Sequence, residues 1–177
     1  MIKMFLMLTA FFTISAHSLI SAEQNSMDIA KELCCKAMCE ACHESSDAAF
    51  IFGKHVLNNL DTKIELKDVN HLKGCLCTSC LFCSPKNLEE LSKIADEVVK
   101  FKHDTTYNAE IHIIDAWLIK GLLSIYNDNL EDALSYVNIA DLLLKNYKHS
   151  ELFDKEFYLR EERIIKTQIK YINKHQE

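Results

Sequence analysis

The residues most able to do chemistry in this sequence are its eight cysteines, gathered between Cys34 and Cys83. They fall into two groups: Cys34, Cys35, Cys39 and Cys42, then Cys75, Cys77, Cys80 and Cys83. On a helix, Cys35, Cys39 and Cys42 stand at i, i+4 and i+7 and share one face. The second group holds two overlapping Cys-x-x-Cys units, Cys77/Cys80 and Cys80/Cys83. An even number in an exported chain predicts disulfides that join the groups and staple the first helix to the segment before Pro85. Each such bridge stabilises by roughly 2–4 kcal/mol, chiefly by restricting the unfolded chain. Spacing leaves the pairing open.

Other chemistry competes for the same thiols. Cys39-Glu40-Ala41-Cys42-His43 has the form of a c-type haem attachment, with two thiols for the vinyl groups and His43 as an axial ligand. Met27 and Met38 are the only methionines after residue 22 and both precede that motif, so His55 or His71 would serve as the second axial ligand. Four thiolates, for example Cys39, Cys42, Cys77 and Cys80, could hold zinc, and thiols on helix faces also suit copper(I). Cys77, Cys80 and Cys83 begin like a ferredoxin run, but Ser84 and Pro85 follow where a fourth cysteine is needed. No cofactor is the first expectation; zinc, copper or haem c is the alternative. Nor is an enzyme expected, since the chain has no Gly-rich phosphate loop, no Gly-x-Ser-x-Gly and no His-Glu-x-x-His. His103, His112, His149 and His175 are expected at the surface or at helix ends, and Glu89-Glu90 and Glu161-Glu162 on solvated faces.

The elements that must position these residues are helices. Three glycines and one proline punctuate the whole chain, which is otherwise rich in helix formers. Residues 1–22 read as a signal peptide: Lys3, an apolar run from Met4 to Ala16, and small residues at Ser21-Ala22 before Glu23. The expected location is therefore exported, periplasmic or secreted, with no stable membrane insertion after cleavage. A formal net charge of −6 without a basic run makes nucleic acid an unsuitable partner. The fold class is all-α: a cysteine-rich helical region over 23–84, and a second helical region over 85–177. We expect a bundle of about five helices.

The first helix should start at Asn25 or Ser26 and run towards Leu60. Residues 61–74 are ambiguous, because Lys63 to Leu66 alternates like a strand. Ser84-Pro85 starts a helix carrying Leu88, Leu91, Ile94, Ala95 and Val98. The next spans Ile111 to Ile125 and ends at Asn127-Asp128-Asn129. Asn129 caps its successor with Asp132 three residues on, and Ser150 caps a last helix to about Asn173. Glu151/Lys155, Glu156/Arg160 and Glu162/Lys166 should pair along its exposed side.

Trp117, Gly121, Leu130, Ala133, Val137 and Ala140 fall at spacings that resemble one tetratricopeptide repeat. Small residues at 121, 133 and 140 would let two antiparallel helices approach, with Trp117 buried beside them. Ser124 and Lys145 depart from the pattern, and no second copy follows at 34 residues. The resemblance implies a scaffold that holds another protein or a peptide in a concave face. No family is suggested for the cysteine-rich half.

Overall fold

The computed structural model describes residues 45–60, 65–100, 109–147 and 155–176. Among them every regular element is a helix: α1 (Ser46–Asn58), α2 (Leu66–Ser79), α3 (Pro85–Val98), α4 (Ala109–Tyr126), α5 (Leu130–Asn146) and α6 (Lys155–His175). The leader, the first cysteine group, His43 and Ser150 lie outside the described residues, as do Glu151 and the side chains of Lys155 and Glu156.

Local chemistry sets most helix ends. The single helix expected up to Leu60 is interrupted at Ser45, whose backbone is extended (φ −170, ψ 129). Its hydroxyl accepts the N–H of Ala48 at 3.4 Å, so a new helix starts there. Of the ambiguous stretch, 61–64 lie outside the described residues, and from Leu66 the chain is helical, in α2, which follows the extended Glu65. Pro85 opens α3 as expected. The cap, however, comes from another helix: Asp47 of α1 accepts the N–H of Ser84 at 2.7 Å and the Nδ2 of Asn87 at 2.8 Å. Those hydrogen bonds, the Ser84 N–H foremost, hold the Asp47 carboxyl below its ordinary range. Asp128 takes a left-handed turn (φ 57) before α5. Asn129 and Asp132 then cap reciprocally, at 3.3 Å to the Asp132 N–H and 2.6 Å between side chains.

α4 is the central element. It packs against α2, α3, α5 and α6, while α1 sits on α2 and α3. A helix with neighbours on every side must be buried all round, and residues 111–116 are all buried. One core runs through both expected regions, joining Leu72, Leu76 and Cys77 of α2 to Leu88 and Leu91 of α3 and Ile114 and Leu118 of α4. No helix among the described residues is long and apolar enough to cross a membrane.

Candidate metal centre

His71, Cys75 and Thr78 stand at i, i+4 and i+7 of α2, so they line one face of that helix. The Nε2 of His71 is 3.6 Å from the Sγ of Cys75. His112 meets this face from α4: its Nδ1 lies 2.9 Å from the Thr78 Oγ1. The ring packs edge-on to His71, with centroids 5.6 Å apart. One donor atom from each of His71, Cys75 and His112 lies within 4.8 Å of the other two. Cys75 and His112 are buried and His71 is half-buried. The approach depends on Gly74, because a Cβ there would sit 2.4 Å from the Cδ2 and 2.5 Å from the Cγ of His112. Glycine inside a helix costs about 1 kcal/mol against alanine. Here it makes room for an imidazole.

Burial, and secondarily the neighbouring His71, lower the pKa of His112 to about 3. The ring is therefore neutral near pH 7, which is the form that donates a lone pair to a metal. The arrangement offers two imidazole nitrogens and one sulfur around a common point.

A buried acidic group lies one turn further along α4. Asp115 and Glu161 are both fully buried. The Nε and Nη2 of Arg160 both contact the Glu161 Oε1 at 2.7 Å, and Nη2 reaches the Asp115 Oδ1 only at 3.7 Å. Burial first, and then the charge of Glu161, push the Asp115 carboxyl well above its ordinary range, with Arg160 opposing. Gln168, seven residues beyond Glu161, is also buried, and its amide completes no hydrogen bond among the described residues.

The expected site residues are distributed unevenly. No disulfide links any two of Cys75, Cys77, Cys80 and Cys83, all of which are buried. Their expected partners Cys34, Cys35, Cys39 and Cys42 lie outside the described residues, as do Cys39, Cys42 and His43 of the haem motif. Cys77 and Cys80 belong to no group of three donors among the described residues. Burial, then Asp115, raises the Cys77 thiol, and burial, then Asp47, takes Cys83 to about 11. Protonated, buried thiols of that kind are poor nucleophiles. His55, the other axial candidate, is exposed in the last turn of α1.

In the hairpin, Gly121, Ala133, Val137 and Ala140 are buried and Leu130 is half-buried. Trp117 is half-buried rather than wedged between helices. Its ring stacks on Tyr136 at 5.6 Å with Lys120 above it, since the space beside Gly121 already holds Val137 and Gln168.

Two expectations are corrected. His112 is buried in the centre of the bundle, because it sits inside the apolar run Ile111 to Ile114. Glu161 is not solvated: it occupies the stripe of α6 that continues through Ile165, Gln168 and Ile172, all buried. Its neighbour Glu162 does stay on the outer side and pairs with Lys166 at 2.8 Å.

Fold and site together define, among the described residues, an all-α bundle with a group of two histidines and a cysteine of which His71 is half-buried and the other two are buried. No family model, curated protein or solved structure matches the chain.

Proposed function

We propose that this is a metal-binding helical protein which holds one thiophilic transition-metal ion, zinc or copper, through His71, Cys75 and His112. The convergence of these three donors around Gly74 carries the reading. Tetrahedral zinc, with Zn–S about 2.3 Å and Zn–N about 2.05 Å, sets sulfur and nitrogen about 3.6 Å apart. Cys75 Sγ and His71 Nε2 stand at 3.6 Å. One thiolate with two imidazoles suits zinc and copper and is a poor match for magnesium or calcium. Three protein donors leave a further position for water or another ligand. This reading moves the metal alternative away from Cys39, Cys42, Cys77 and Cys80. Read with the leader-like residues 1–22, it describes an exported protein whose buried thiolate is guarded from oxidation by the ion it holds.

The test is titration of the reduced, metal-free protein with Co(II) and Zn(II). One equivalent of Co(II) should bind with a sulfur-to-cobalt charge-transfer band, and Zn(II) should displace it. Cys75→Ser should abolish the band and His112→Ala should weaken binding. Uptake and spectrum unchanged in Cys75→Ser would refute the assignment.

A further inference from the structure

A histidine that ligates a metal through one nitrogen needs its other nitrogen fixed, because the proton on that second nitrogen decides which lone pair is offered. The described residues show one such partner. Thr78 lies one turn beyond Cys75 on α2, on the side facing α4, and its Oγ1 is 2.9 Å from the Nδ1 of His112. A hydroxyl can accept one hydrogen bond while donating another. Both oxygens of Asp115, one turn beyond His112, are buried without a hydrogen-bond partner among the described residues. Asp115 is three residues after His112, so helix geometry puts both side chains on the same side of α4.

Resting on the metal-binding reading, we infer that Thr78 is the positioning residue of the centre: its hydroxyl accepts the Nδ1–H of His112, holds that tautomer, and leaves Nε2 to donate to the metal. The Nδ1 proton of His112 stays in place when the ion binds at Nε2. The hydrogen bond from Thr78 sets the direction of the ring.

The assignment explains why a polar side chain is placed here on a helix face otherwise given to core residues and metal donors. Valine has nearly the same shape as threonine but lacks the hydroxyl. Thr78→Val therefore removes the hydrogen bond with little change in packing, and Thr78→Ser restores the hydroxyl.

Two readouts test it on the full chain. Long-range 15N–1H NMR of the metal-free protein should show His112 protonated at Nδ1 in the wild type and in Thr78→Ser. Thr78→Val should move that proton to Nε2, the tautomer imidazole prefers in water. Co(II) competition should show Thr78→Val weakened by about 10–100-fold, the usual loss when such a partner is removed, with Thr78→Ser near wild type. Wild-type binding together with equal binding and an unchanged tautomer in Thr78→Val overturns this inference and leaves the metal site standing. A wild-type protein that takes up no Co(II) overturns both.

Discussion

Replacing Gly74 by alanine sets two effects of known size against each other. Helix propensity favours alanine by about 1 kcal/mol at an interior position. Against it, the new methyl would lie 2.4, 2.5 and 2.8 Å from the Cδ2, Cγ and Cβ of His112. Carbon atoms rest at about 3.5–4.0 Å, so His112 must retreat by about 1 Å. Ring rotation cannot clear the clash, because the His112 Cβ is itself one of the three atoms. α4 must shift, and it is held by helices on every side. Overpacking of that kind costs about 1–3 kcal/mol, which outweighs the propensity gain. Gly74→Ala should therefore lose up to about 2 kcal/mol net, or a few degrees in Tm at about 2–4 °C per kcal/mol. It should also bind Co(II) at least about tenfold more weakly, since His112 is displaced. Gly121→Ala is the control for metal binding: its methyl would meet the Val137 Cγ2 at 2.8 Å and the Gln168 Oε1 at 2.9 Å, away from the three donors. The Gln168 amide can swing aside, but the buried, β-branched Val137 is stiff, so stability should fall by about 1–3 kcal/mol as in other overpacked cores while Co(II) binding stays unchanged. Denaturant unfolding followed by circular dichroism, with Co(II) competition on the same samples, measures both. A Gly74→Ala protein about 1 kcal/mol more stable than wild type, with equal metal affinity, would show that α2 and α4 do not close on His112.

Two further outcomes follow from the buried and capping carboxyls. Asp47→Ala should cost about 1 kcal/mol at neutral pH, because it uncaps α3. The folded pKa of Asp47 is depressed, so its contribution is complete above the unfolded value of about 3.9. It is lost as pH falls through the lower folded value, and stability against pH for the two proteins should converge there. Asp115 has the opposite sign. Its folded pKa is raised, so the native state holds the proton longer and wild-type stability declines as pH rises from about 3.9 towards the folded value. Asp115→Asn should be more stable than wild type at neutral pH in metal-free protein, with the advantage fading below about pH 4. Thermal melts across that range decide it, and a variant less stable at neutral pH would contradict the burial argument.

Much of the framework was legible from periodicity and caps. Pro85, Asn129 with Asp132, and the stripe Ala133, Val137, Ala140 are signals within a few residues of one another, so the sequence shows them directly. The break at Ser45 was missed because a serine suits a helix interior weakly and a cap strongly, and only the backbone tells which. The metal centre was missed for a different reason. His71 and Cys75 are a visible i, i+4 pair, but cysteine spacing drew attention to Cys-x-x-Cys units. The third donor comes from α4, 37 residues after Cys75. Nothing local couples them. The best hint was His112 within Ile111-His112-Ile113-Ile114, where a polar ring on a core helix needs a partner. Glu161 carried a similar hint, lying four residues before Ile165 and eleven before Ile172 on one stripe.

Sequences that fold well are usually consistent at every level, and departures gather where function requires them. Three departures meet at one place here: a glycine in the middle of α2, a histidine in the apolar run of α4, and a carboxyl buried one turn beyond it. Close packing of α2 on α4 needs the glycine whatever stands at 112, since a methyl at 74 would meet the Cβ of residue 112 at 2.8 Å, but it needs neither the imidazole nor the carboxyl. An aliphatic residue at 112 would avoid holding an imidazole neutral down to about pH 3. The metal-free protein thus gives up stability at this contact. A bound ion reverses the balance: at a free concentration of 100 times its Kd it stabilises the fold by about 2.7 kcal/mol, more than the glycine costs. On that reasoning the contact is marginal when empty and strong when loaded. Added Zn(II) should then raise the melting temperature of the wild type while leaving Cys75→Ser where it was.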